Sequence, residues 1–238
     1  MIGTIDFHCH ILPGVDDGSK SPEESLAMLR MEAAQGVSHI VATPHFYPQY
    51  DTPAQFLARR TAAEAALRQV LQQNPQLPDL SIGAEVYYFN GISDSDALSQ
   101  LTIDRGRYLL VEMPGAPWSD RMYRELEDLY VKRGIMPIIA HVDRYISRFR
   151  THGIPQRLES LPVLVQANAS FFLRRSTASM ALRMLKKGQI HLLGSDAHNT
   201  TSRQPNLGDA LSLIERRLGS DFISAMHQHG QHVLSDIR

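Results

Sequence analysis

The sequence predicts an α/β fold built on a mainly parallel sheet. Apolar, β-branched runs recur along the chain, each followed by a polar loop and then by a helix-like stretch, the rhythm of βα units. Six of the seven runs end in a histidine or a carboxylate, and the strands of a parallel barrel present all such ends on one face. The 238 residues, 43% hydrophobic, suffice for one sizeable core and suit a single α/β barrel, so one domain over residues 1–238 is expected.

Strand one is expected over Ile2–His8, followed by a loop, Ile11–Lys20. Ser21-Pro22-Glu23-Glu24 starts a helix, with Ser21 as N-cap, Pro22 in the first turn and Glu24 completing a capping box. Leu26, Leu29 and Ala33 form its apolar stripe and Gly36 ends it. Strand two, Ser38–Thr43, runs into Pro44-His45, and Thr52-Pro53 opens a helix ending near Asn74-Pro75. Strand three, Leu80–Gly83, ends in Ala84-Glu85, and a loop and short helix follow over Gly91–Leu101. Strand four, Tyr108–Val111, ends in Glu112, and a helix over Ser119–Arg133 stops at Gly134. Strand five, Ile135–Ala140, is apolar throughout, as in a strand buried on both faces, and ends in His141. Val142–Leu161 reads as irregular. Strand six, Val163–Gln166, continues into Ala167-Asn168, and a helix covers Thr177–Lys187. Strand seven, Ile190–Gly194, ends in Ser195-Asp196-Ala197-His198, before helices over Asn206–Leu218 and Ser220–His229.

The strand ends carry His8 and His10, His45, Glu85, Glu112, His141, and Asp196 and His198; Asp17 in the first loop completes a set of nine. His8 and His10, two apart, point to the same side of an extended segment. So many acids and imidazoles in one mouth would repel one another and shift their protonation unless a cation joined them. The set is therefore read as a metal site. It exceeds the four ligands of one zinc and suits two or three divalent ions, with Glu112, central in strand order, as the shared carboxylate. Mixed imidazole and carboxylate ligands fit manganese, iron or zinc.

Other features narrow the chemistry. With 24 basic and 25 acidic residues, the chain shows no nucleic-acid footprint and no membrane-surface patch. No apolar run is long enough to insert in a membrane, and one cysteine excludes an internal disulfide framework, so a soluble, cytoplasmic protein is expected. Strand alternation turns Cys9 away from the two histidines beside it, as a buried packing residue. The sixth residue after it is Val15, not the arginine of a cysteine phosphatase. His39 and His191 begin strands and fall at the far end of a barrel; His152 has no evident role; His227, His229 and His232 read as a solvated helix end. Arg144 and Arg203 leave strand ends on the site side, either to hold phosphate oxygens or to form surface ion pairs. Gln166 and Asn168 either bond to site groups or cap the strand.

His8-Cys9-His10-Ile11-Leu12-Pro13-Gly14-Val15-Asp16-Asp17-Gly18 resembles the opening motif of the PHP (polymerase and histidinol phosphatase) superfamily. Val41-Ala42-Thr43-Pro44-His45, Gly83-Ala84-Glu85-Val86-Tyr87-Tyr88, His141-Val142-Asp143-Arg144-Tyr145 and Ser195-Asp196-Ala197-His198-Asn199 are similar, in order, to motifs of its CpsB/CapC group of bacterial capsular-polysaccharide protein-tyrosine phosphatases. Asp143 stands where many relatives carry Glu, and Thr200–Asn206 and the tail from His227 match less well. The resemblance implies a distorted (β/α)7 TIM-like barrel and a three-metal site of manganese or iron character. The nine side chains above would be its ligands, and Arg144 and Arg203 its phosphate holders. It also implies removal of phosphate from tyrosine on the tail of a partner kinase that controls exopolysaccharide chain length. Ring-shaped homo-oligomers occur in the group.

The expected reaction is phosphomonoester hydrolysis by a water that two ions acidify, with charge on the phosphoryl oxygens neutralised by the metals and the arginines. Phenolate, with a pKa of about 10, leaves with little help; a ligand-side Asp or His or a metal-bound water can donate the proton, and Asp16, beside Asp17, is one candidate. The rival readings are a phosphatase of small esters such as histidinol phosphate, a phosphodiesterase (disfavoured by the near-neutral charge) and a non-catalytic binder of the kinase tail.

Overall fold

The computed structural model describes residues 4–149 and 153–236. The first two residues of the expected strand one, and His152, lie outside the described residues. Nine strands are present among them: β1 (Thr4–Cys9), β2 (Val37–Ala42), β3 (His45–Phe46), β4 (Asp79–Ile82), β5 (Glu85–Tyr87), β6 (Tyr108–Glu112), β7 (Met136–Ile139), β8 (Leu164–Asn168) and β9 (Leu192–Gly194). Every pairing is parallel, in the orders β1-β2-β4 and β3-β5-β6-β7-β8-β9.

The two sheets follow from breaks in the second and third expected strands. Pro44, which has no N–H to donate, separates β2 from β3, and Gly83-Ala84 separates β4 from β5. The ladder nevertheless carries across, since Gly83 N donates to Ala42 O and Glu85 N to Pro44 O. At the other side Asp196 N donates to His8 O (2.8 Å) and His10 N to Ala197 O (2.9 Å), so the segment after β9 lies beside β1. The parallel strands thus curl in the manner of a distorted TIM-like barrel, with strand ends His8, Glu85, His141 and Asp196 on one rim.

Helices α1 (Pro22–Ala34), α2 (Pro53–Gln72), α3 (Asp120–Arg133), α4 (Val142–Phe149), α5 (Ile154–Glu159), α6 (Ala169–Leu173), α7 (Ala178–Lys186), α8 (Leu207–Leu218) and α9 (Ser220–Ser235) complete the fold. Ser21 caps α1 through Glu24 N, but the Glu24 carboxylate accepts from Lys20 N, so the expected capping box is only half formed. A complete one, Thr52 with Gln55, begins α2. Gly134 stops α3 with a φ of 65°, where a side chain would be strained. The region expected to be irregular holds α4 and α5, and three short 3-10 turns replace the single helix expected after Gly91.

A large core fills the space between strands and helices. A second cluster inside the strands joins Ile5, Phe7, Val41, Leu110, Ile138 and Leu192 to Val233 of α9. Full burial of such side chains is worth about 1.5–3 kcal/mol each. Gly230 lets α9 close on this cluster: a Cβ there would lie 3.0 Å from Phe7 and 3.1 Å from Ile5. Tyr108, at the start of β6, donates its hydroxyl to Asp236, so α9 spans the strand starts and leaves the strand ends as the open rim.

Candidate metal centre

The rim gathers five imidazoles and four carboxylates. Glu85, wholly buried, is at its middle: Oε2 lies 3.1 Å from His8 Nε2, 3.3 Å from His10 Nε2 and 2.9 Å from His45 Nδ1, and Oε1 lies 2.7 Å from His141 Nε2. Asp196 Oδ1 is 3.7 Å from His8 Nε2 and 3.5 Å from His10 Nε2. Asp17 Oδ1 is 3.5 Å from His45 Nε2 and 3.4 Å from His198 Nε2, and the His198 ring stacks on His10 at 3.8 Å. Glu112 stands at the side, 3.6 Å from His141. Three overlapping groups can each hold an ion: His8, His10 and Glu85; His45, Glu85 and Glu112; and His10, Asp17, His45 and His198.

Local backbone shape aims these groups. His141 and Asp196 hold φ values of 31° and 54°, sparsely populated for residues with a Cβ, and such outliers gather where surroundings over-determine a site. Gly18 and Gly194 allow close approach behind the ligands. A Cβ on Gly18 would fall 2.2 Å from His10 O, and one on Gly194 2.4 Å from His8 Cβ.

Further residues hold the ligands in place. Gln166 Oε1 accepts from His141 N at 2.6 Å and lies 3.3 Å from His8 Nδ1. Its amide donates to Asn168, whose own amide donates to Asp196 Oδ2 at 2.9 Å. Asp16, the candidate proton donor, turns inward to His10. Its Oδ2 lies 2.7 Å from His10 Nδ1 and accepts from His45 N, and its Oδ1 accepts from Gly18 N. Burial would raise its pKa, but His10 and these donors hold it well below the usual carboxylate range. A carboxylate so placed on the His10 ring suits a group that sets the ring's direction.

The electrostatics call for a cation. Burial pulls the His10 pKa down, yet Asp16 and then Glu85 push it up to about 10. Burial raises the Glu85 carboxyl, but His8 and the other imidazoles hold it far below the ordinary value. Glu112 is raised, by burial and then by the charge of Glu85. Among the described residues, His45 Nδ1, Glu85 Oε2 and His198 Nε2 are sealed from solvent and make no well-aligned hydrogen bond, although they face other ligand atoms at 2.9–3.4 Å. Such atoms, aimed into a nest of hard and imidazole donors, fit divalent metal ions.

Arg144 and Arg203 close one side, 39% and 38% exposed. Arg144 Nη2 lies 2.5 Å from Asp196 Oδ2 and Nη1 3.3 Å from Glu112; Arg203 Nη2 donates to Asp196 Oδ1 at 2.9 Å. Cys9 is buried away from the rim and burial pushes its thiol well up, unlike a nucleophile. Behind β1 lies a pair that sequence reasoning missed. Asp6 accepts from His8 N, Ser195 N and Ser195 Oγ, and faces Glu32 of α1, also wholly buried. Its only sequence signal is a charge inside the apolar run of strand one.

A family model for capsular polysaccharide synthesis, CpsB/CapC, matches residues 4–234. The chain is 28% identical to the tyrosine-protein phosphatase YwqE of Bacillus subtilis, over 97% of this chain and 91% of the relative. It is 29% identical to the tyrosine-protein phosphatase CpsB of Streptococcus pneumoniae, over 91% of each. In a structural comparison it superposes, with a TM-score of 0.87 and 26% identity, on a chain from the crystal structures of YwqE and CpsB, described as unique metal-dependent tyrosine phosphatases; 99% of this chain and 96% of that one are covered.

Proposed function

The chain belongs to the CpsB/CapC family of capsular polysaccharide synthesis, and from that premise we propose that it is a metal-dependent protein-tyrosine phosphatase. One observation carries the reading: the buried Glu85 carboxylate joins four imidazoles within 3.3 Å, beside two arginines turned to the same rim. The same reading treats residues 1–238 as one PHP domain, with β2–β3 and β4–β5 each filling one position of a (β/α)7 barrel.

His8, His10, Asp17, His45, Glu85, Glu112, His141, Asp196 and His198 would hold two or three divalent ions, manganese first among them, with iron and zinc as alternatives. Glu85, rather than Glu112, serves as the shared carboxylate, because it belongs to two of the three ligand groups and lies deepest. Bound ions supply an acidified water and a polarised phosphoryl group. The chain's own residues do the rest. Arg144 and Arg203 bind phosphoryl oxygens, and Asp196 keeps both guanidinium groups aimed until the anion arrives. Asp16 orients His10, and Gln166 fixes His8 and His141. The substrate class is a phosphotyrosine tail on a bacterial tyrosine kinase of exopolysaccharide synthesis. This places the protein in the cytoplasm, with a homo-oligomer compatible. Among the described residues no helix is long and apolar enough to cross a membrane.

The test is turnover of a phosphotyrosine peptide, histidinol phosphate and a phosphodiester, each with manganese and with chelator, beside elemental analysis of the protein. Manganese-dependent release of phosphate from the peptide in preference to the others is expected. Preference for histidinol phosphate or the diester, or tight peptide binding without release, would replace this reading with the corresponding rival.

A further inference from the structure

The strand ends that present His45 and Glu85 also place a tyrosine two residues further on. β3 and β5 pair in parallel with His45 opposite Glu85 and Phe46 opposite Val86, which brings Tyr47 and Tyr87 side by side. Alternation directs each tyrosine to the same side as the ligand before it. The rings confirm this: Tyr47 lies 4.9 Å from the His45 ring and 5.6 Å from Tyr87 between centroids. Tyr50, in the turn that follows, meets Tyr47 edge-on at 6.3 Å. Phe46, between them, turns into the core against Phe56.

The three tyrosines differ from core aromatics. Tyr50 is 82% exposed, and Tyr47 and Tyr87 are only part-buried. Apolar ring surface left to water at a metal-ligand rim is surface available to a ligand. The Glu112 carboxylate links this row to the anion-binding side: it accepts from Tyr47 Oη at 3.4 Å on one oxygen and from Arg144 Nη1 at 3.3 Å on the other. Tyr47 and Arg144 thus meet at one carboxylate.

We propose that Tyr47, Tyr87 and Tyr50 form an aromatic wall that seats the ring of an aryl phosphate and sets a preference for aryl over alkyl phosphate esters. The proposal rests on the phosphatase reading and adds its substrate selectivity. The wall meets the ring by offset or edge-on stacking, which an alkyl ester cannot reproduce. Tyr47 touches Glu112 and His45, so its substitution would disturb the metal centre; Tyr50 touches no ligand, and for Tyr87, which pairs with Glu112 in the sheet, metal content and methylphosphonate binding separate the wall from damage to the centre.

The experiment measures calorimetric binding of phenylphosphonate and methylphosphonate, neither of them hydrolysable, to the manganese-loaded protein and to the Tyr50→Ala, Tyr87→Ala double variant. Metal content and Tm are followed in both. Wild-type protein is expected to bind phenylphosphonate more tightly, and the double variant to lose about tenfold in phenylphosphonate affinity alone. Equal binding of the two by wild-type protein, or equal weakening of both in the variant, overturns the wall and leaves the phosphatase reading standing. Binding of neither by wild-type protein overturns both.

Discussion

Glu85 Oε1 and His141 Nε2 meet at 2.7 Å, both side chains fully buried, while the other oxygen of the same carboxylate faces His8, His10 and His45. One acid thus faces imidazoles from both sides. Glu85→Gln removes the negative charge and replaces one ligating oxygen by an amide nitrogen, and is expected to lower activity on the order of 10²–10³-fold, with loss of bound metal. Glu112→Ala, at the side of the cluster, is expected to retain more metal. Elemental analysis of the two variants decides it; equal or greater metal loss in Glu112→Ala would return the shared role to Glu112.

Asp16→Asn separates an orienting group from a proton donor. An orienting group is expected to cost about 10–100-fold in metal affinity, and to slow aryl phosphates with good and poor leaving groups alike. A proton donor would spare the good leaving group. Brønsted plots for wild type and variant, each at saturating manganese, measure this.

Removing the metals should leave the carboxylates with only protons on the imidazoles and the two arginines as counter-charge. Chelation is expected to abolish turnover and to lower Tm, since ions at about 1,000 times their Kd stabilise the folded state by about 4 kcal/mol. Metal uptake is also expected to tighten as pH rises. His10 is held up to about 10, so a proton must leave before that ring can ligate. Titrations with manganese between about pH 6 and 8 should show this slope and the accompanying proton release.

Glu32 gives a stability prediction. Its carboxyl is raised well above the usual value, by burial and then by the charge of Asp6. The folded state then binds more protons than the unfolded state, so stability is fully present below the unfolded pKa of about 4.3 and is lost as pH rises. Glu32→Gln keeps a donor toward Asp6 and does not titrate. It is expected to gain about 1–3 kcal/mol at neutral pH and to flatten the decline. Thermal melts of chelated protein across the pH range check it; a variant that follows the wild-type curve would refute the account.

The convergence of distant residues was legible because a parallel sheet puts every strand end on one rim, and because the ligand pair His8 and His10 carries the spacing of an extended segment. What could not be read was depth and direction. Glu85 and Glu112 look alike in sequence; the break at Gly83-Ala84 and the burial of Glu85 separate them only in three dimensions. Asp16 and Asp17 are neighbours, yet one turns inward to His10 while the other is 65% exposed on the loop, a difference made by the close approach of Gly18 to His10. The Asp6–Glu32 pair joins a strand to a helix and follows no local period. The short helices α4–α6 lack the length over which apolar periodicity becomes visible.

The seam where His10 N meets Ala197 O joins the early chain to the late chain, and the ring of donors is complete only there. A polypeptide still on the ribosome carries His8, His45 and Glu85 long before Asp196 and His198 emerge. Of the three ligand groups, the one that includes His198 therefore closes only when the late chain has folded against the early chain.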